Sequence, residues 1–122
     1  MADYEKRKRA FVQKEANLSK EEAAKYFPLN DELTQKKFDL HKRHREKVER
    51  IKENSHISEE EYQRLLADDV DLKVKEAALD KEYSVKFSKI LSPEKLFKAQ
   101  QAEKRFIQNE VSHFRSTQGE KR

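Results

Sequence analysis

The residues best suited to chemistry are crowded into His41-Lys42-Arg43-His44-Arg45. His41 and His44 stand three apart, a spacing that brings two imidazoles to one side of a helix, within reach of a divalent cation. Three cations share that pentapeptide, and of the residues after it only Glu46 is a carboxylate within a turn of His44, so the local field opposes a metal. The stronger reading is a solvated basic face with His44 at the core edge; no metal or other cofactor is expected. Lys36, Lys37, Lys47, Arg50 and Lys52 extend the basic stretch, enough to follow a phosphate backbone. Glu46, Glu49 and Glu53 are interleaved at pairing distance on a helix, and no nucleic-acid motif accompanies them, so no nucleic-acid partner is expected. There is no phosphate loop, no H-E-x-x-H and no glycine-flanked nucleophile. Absence of cysteine excludes disulfides, thiol catalysis and cysteine-based zinc sites. The chain does not read as an enzyme.

The serines and acidic runs that remain have a structural task. Leu18-Ser19-Lys20-Glu21-Glu22, Ile57-Ser58-Glu59-Glu60-Glu61 and Leu91-Ser92-Pro93-Glu94-Lys95 each place an apolar residue, a serine and then acidic side chains in a first helical turn. Ser19, Ser58 and Ser92 are expected to accept hydrogen bonds from free backbone N–H groups as N-caps. Glu22 and Glu61 can close capping boxes, and Leu18, Ile57 and Leu91 can pack as staples on Ala23, Tyr62 and Leu96. Pro93 suits the first helical position. Glu59-Glu60-Glu61 complements the helix dipole.

These caps divide the chain into four helices, at roughly residues 3–16, 20–53, 59–91 and 93–115. One glycine and two prolines in 122 residues leave little for hairpins or bulges, and no apolar run approaches the ~20 residues of a membrane span. The first helix is anchored by Tyr4, Phe11 and Val12, beside the charged run Lys6-Arg7-Lys8-Arg9. The second is expected to kink at Pro28, because its apolar pattern resumes at Leu33, Leu40, Val48 and Ile51. The third spreads Tyr62, Leu65, Leu66, Val70, Leu72, Val74, Leu79, Tyr83 and Phe87 over more than one seam, implying contact on two sides. The fourth is expected to bury Leu96, Phe97, Phe106, Ile107, Val111 and Phe114. Phe38 lies off its stripe and stands as a dimer contact or as a residue facing another protein, the other aromatics being mostly core. Residues 58–91 hold 6 Lys+Arg against 9 Asp+Glu, while residues 1–57 hold 15 against 11 and residues 92–122 hold 7 against 4. An acidic third helix between basic neighbours favours packing among them. With 43% charged residues the core must be thin, so a second copy of the chain is expected to supply burial.

The ordered set of motifs resembles a known family. Leu18-Ser19-x-x-Glu22 and Leu91-Ser92-x-x-Lys95 are similar to the paired L-T-x-x-Q elements of the periplasmic Spy and CpxP-like helical proteins of Gram-negative bacteria. Glu22-Ala23-Ala24-Lys25-Tyr26-Phe27-Pro28-Leu29-Asn30-Asp31-Glu32 and Tyr83-Ser84-Val85-Lys86-Phe87, followed by Gln100, Ala102, Glu103 and Phe106, resemble a small branch of that group. The likeness spans roughly residues 7–115. Glu22 and Lys95 depart from it, standing where that motif has glutamine. The resemblance implies an all-α, elongated, often dimeric periplasmic protein; some such proteins are ATP-independent chaperones with a basic, partly apolar surface. No signal peptide is evident, and the implied location presumes one removed ahead of Asp3.

The sequence therefore predicts an all-α chain of two antiparallel hairpins, one domain over 1–115 with a disordered tail over 116–122. Its expected task is binding non-native proteins or responding to envelope stress, with Phe38, Lys42, Arg43 and Arg45 as the client-binding residues. The alternative is a structural or regulatory module for one specific protein partner, which a flat charged surface with all aromatics buried would favour.

Overall fold

The computed structural model describes the backbone of residues 2–54 and 56–120, with side chains described over 3–54 and 56–115. It contains four helices, α1 (Ala2–Ala16), α2 (Lys20–Lys52), α3 (Glu59–Ser88) and α4 (Pro93–Glu120), and no strand among the described residues. The protein is all-α. Helix α2 passes through Pro28 without interruption. Helix α4 is traced to Glu120, beyond the end near residue 115 drawn from the sequence; Lys121 and Arg122, at the end of the expected tail, lie outside the described residues.

The helix boundaries follow from local chemistry. Ser19 Oγ accepts the Glu22 N–H at 3.0 Å while Glu22 Oε1 accepts the Ser19 N–H at 2.9 Å, a complete capping box. Ser58 Oγ accepts the Glu61 N–H and Ser92 Oγ the Lys95 N–H, both at 3.2 Å. All three serines therefore cap. One terminator was not recognised in the sequence. Asn17 adopts φ 54°, the Leu18 N–H donates to the Gln13 carbonyl at 3.0 Å, and the Asn17 N–H donates to that of Lys14 at 3.3 Å. This is a Schellman end with asparagine in the left-handed position, and the apolar residue that follows it, Leu18, is buried.

The chain forms two compact units, where its length suggests a single domain. The first joins its ends, Met1–Phe27 and Phe87–Arg122. Here α1 and α4 pack antiparallel, with Tyr4 and Phe11 against Phe106 at ring separations of 5.4 and 5.7 Å. Arg7 bonds Glu110 at 2.6 Å and Arg105 bonds Glu15 at 3.0 Å along the flanks. Val12, Ala16, Leu18, Tyr26, Phe87, Leu91, Ala99 and Ala102 are buried between or beside these helices. Ala99 and Ala102 let α1 approach closely. Burial raises the Tyr26 hydroxyl well above its ordinary pKa, and the Glu103 carboxylate adds to the effect. Glu22 and Lys95, the two departures from the glutamine motif, meet at 2.7 Å and so tie the cap of α2 to the cap of α4. That contact, together with the Ser19 N–H, holds the Glu22 carboxyl below the usual carboxylate range.

The second unit, Pro28–Lys86, consists of α2 from Pro28 onward and α3 as far as Lys86, running antiparallel about a short connection. Leu33, Leu72 and Tyr83 are its buried apolar residues. Tyr83 donates to Glu32 Oε1 at 2.8 Å, with the ammonium groups of Lys36 and Lys86 over its ring at 5.1 and 4.5 Å. Several positions assigned to the core are instead exposed, Tyr62 on α3 and Phe97, Ile107, Val111 and Phe114 on α4; Leu66, Val70 and Val74, part of the wide apolar spread of α3, are exposed as well. Within each unit a helix is covered along one face by one neighbour, and apolar side chains off that face have nothing to pack on.

Ser19→Ala and Ser92→Ala should each lower unfolding free energy by about 1 kcal/mol in denaturant titrations, the usual worth of an N-cap. Unchanged midpoints for both would contradict the assigned helix starts.

Candidate functional site on the second helix

Helix α2 presents two faces of different character. Along the face toward α3 runs a ladder of cross-helix pairs. Lys37 meets Asp80 at 2.5 Å, His41 Nε2 bonds Glu76, and Lys47 meets Asp68 at 2.8 Å. His44 Nδ1 lies 2.7 Å from Asp68 and Nε2 lies 3.6 Å from Asp69. The acidic third helix thus docks its basic neighbour, as the charge split along the sequence implies. The His44 and Lys47 contacts hold the Asp68 carboxyl below its ordinary range. Both histidines of the pentapeptide are engaged with α3 carboxylates. No group of three or more metal-ligating side chains is gathered among the described residues.

The opposite face carries most of the proposed client-binding set. Phe38, Lys42 and Arg45 follow at i, i+4 and i+7, so they share one side of the helix. Phe38 is 51% exposed, and the Arg45 guanidinium sits over its ring at 5.6 Å. Lys42 makes no ion pair among the described residues and stands free beside this stacked pair. Arg43 falls elsewhere. One residue beyond Lys42 turns it about 100° around the helix, and it lines shallow grooves with Leu40, Asp71, Leu72 and Lys75. The structure therefore gathers Phe38, Lys42 and Arg45 and places Arg43 on the flank.

A groove beside the α2–α3 connection is lined by Lys47, Arg50, Glu61, Arg64, Leu65 and Asp68. Neither Arg64 nor this groove was singled out in the sequence, because its members come from two helices and meet only when α3 folds back. The signal that would have found it is the short connection itself, which aligns residues near 50 with residues near 64.

Fold and face together define an all-α protein of antiparallel helix pairs, with a cationic, partly apolar outer side on α2. The sequence matches no family model, and no similar curated protein or solved structure was found. No helix among the described residues is long and apolar enough to cross a membrane.

Asp68→Asn should lower the melting temperature at neutral pH. A carboxyl whose folded pKa is depressed contributes stability above its unfolded value of about 3.9 and loses it as pH falls through the lower folded value. The gap between wild type and variant should therefore close as pH falls below about 4. Circular-dichroism melts across that range provide the check; a gap independent of pH would discount the ladder.

Proposed function

We propose that this protein is an ATP-independent, chaperone-like binder of non-native proteins in the bacterial periplasm, acting within the response to envelope stress. The observation carrying the proposal is the exposed Phe38 ring under the Arg45 guanidinium, beside Lys42, which has no ion pair among the described residues. Cations on a helix face accelerate encounter with acidic segments, and an adjacent ring holds apolar segments at short range. The alternative, a module dedicated to one protein, is favoured by a flat charged surface with every aromatic buried. Phe38, Tyr62, Phe97 and Phe114 are all exposed, which supports the chaperone-like reading over it. The resemblance of the cap motifs to Spy and CpxP-like proteins supports the same reading and is the ground for the proposed location.

Purified protein should suppress aggregation of an unfolding model protein without ATP. Lys42→Glu with Arg45→Glu should slow capture several-fold and flatten its salt dependence, since screening acts on exposed charges at a distance of about 8–10 Å. Arg43→Glu alone should do less, because Arg43 lies off the face. Phe38→Ala should shorten retention and leave the salt dependence intact. Absence of suppression at several-fold molar excess would remove the proposal. Recovery of the protein from the cytosolic rather than the periplasmic fraction of cells expressing the full natural gene would remove the location.

A further inference from the structure

Packing against α1 sorts the side chains of α4 by charge as well as by polarity. Ala99, Ala102 and Phe106 are buried on the α1 side. Two carboxylates go with them: Glu110 bonds Arg7 of α1 at 2.6 Å, and Glu103 meets Lys8 of α1 at 3.8 Å. Glu94, in the first turn of α4, is paired with Lys98 at 2.8 Å. The side away from α1 keeps large apolar residues and cations. Phe97, Ile107, Val111 and Phe114 are 62, 42, 44 and 63% exposed. At about 100° per residue these four share an arc of roughly 100°, and Phe97 and Phe114 stand about 25 Å apart along the axis. Lys104 and Arg115 fall at the Phe97 edge of that arc, both exposed and neither in an ion pair among the described residues.

We propose that the outer face of α4 lies on an anionic lipid surface, with Phe97, Ile107, Val111 and Phe114 entering the acyl boundary and Lys104 and Arg115 reaching lipid phosphates. An amphipathic helix in this position buries its apolar side by about 5–10 Å. The long stems of lysine and arginine let their charged heads stay among the headgroups while the rings go below them. Charge complementarity selects this occupant. The carboxylates at 94, 103 and 110 are each held in an ion pair, so the strip presents cations to an anionic surface and little that repels it. A bilayer supplies a phosphate wherever a cation reaches, so two cations on one edge of the strip need no matching pattern. An acidic protein would have to set carboxylates opposite Lys104 and Arg115 and shape a groove around a convex helix side. The helix rests on the surface and does not cross it, since no helix among the described residues is long and apolar enough to span a membrane. The inference is independent of client binding, because Phe38, Lys42 and Arg45 belong to α2.

Vesicles of mixed phosphatidylglycerol and phosphatidylcholine should carry the full chain down on centrifugation, and vesicles of phosphatidylcholine alone should carry several-fold less. Added salt should weaken the binding by screening. Lys104→Glu with Arg115→Glu should weaken it about tenfold or more, with helix content unchanged by circular dichroism. The chain has no tryptophan, so one introduced ring reports on its own position. Phe114→Trp keeps an aromatic on the strip; its emission should shift to the blue with the anionic vesicles and be quenched by bromine-labelled acyl chains. Tyr62→Trp, at an exposed position of α3, should show neither effect. A wild type that stays in the supernatant with anionic vesicles overturns the proposal. Vesicle binding that shifts the emission of Tyr62→Trp and leaves that of Phe114→Trp unchanged overturns the assignment to α4. Soluble polyglutamate that shifts the emission of Phe114→Trp where anionic vesicles do not overturns the lipid surface in favour of an acidic protein.

Discussion

Helices of this length keep their backbone bonds in water mainly by withdrawing one face from solvent, and this chain has few side chains with which to do so. Among the described residues thirteen apolar residues are buried, ten in the unit built from the chain's ends and three in the unit built from its middle. That imbalance governs the rest. In the end unit, Val12, Ala16, Tyr26, Phe87, Ala99, Ala102 and Phe106 form a packed core, with ion pairs outside it. In the middle unit the order is reversed: paired charges fill much of the contact between α2 and α3, and large apolar side chains face outward.

The magnitudes show why the reversal matters. Exposed ion pairs contribute roughly 0.2–1 kcal/mol each, whereas a fully buried leucine or valine contributes about 1.5–3 kcal/mol. A ladder at Lys37, His41, His44 and Lys47 therefore fixes which residues of α2 and α3 stand opposite one another more than it stabilises them. Tyr83 is where the two effects combine. Its ring is fully buried, its hydroxyl is bonded to Glu32, and cations lie over the ring.

Helix starts were legible in the sequence because caps are local: a serine and the N–H three residues later need no distant partner. Helix class and antiparallel pairing followed from the same punctuation and from the acidic character of the third helix. The end of α1 falls at Ala16, where the sequence places it, but the left-handed residue that terminates it, Asn17, was not recognised, because asparagine, unlike glycine, signals a left-handed residue only weakly. Burial was legible for Val12, Tyr83, Phe87 and Phe106 and misjudged for Phe97, Ile107, Val111, Phe114 and Tyr62. Periodicity reports which residues share a face; it does not report whether a neighbour covers that face. The candidate site was half legible for a related reason. Phe38, Lys42 and Arg45 share a face by spacing alone, but adjacency in sequence had grouped Arg43 with Lys42 although successive residues on a helix point apart.

The departures at Glu22 and Lys95 show how two local devices become a tertiary one. In a capping box the residue three beyond the serine reaches back to the cap N–H, which glutamate can do and lysine cannot. Lys95 therefore leaves its own box incomplete and extends its ammonium to Glu22, whose carboxylate already serves the Ser19 N–H. One carboxylate oxygen thus accepts from the start of α2 and from the first turn of α4 together. Substituting both by glutamine would return two neutral boxes and remove the charge link between helix starts 73 residues apart in sequence. A pair of opposite charges at two caps makes the position of one helix start depend on the other, which the scarce apolar residues around Leu18 and Leu91 reinforce by burial.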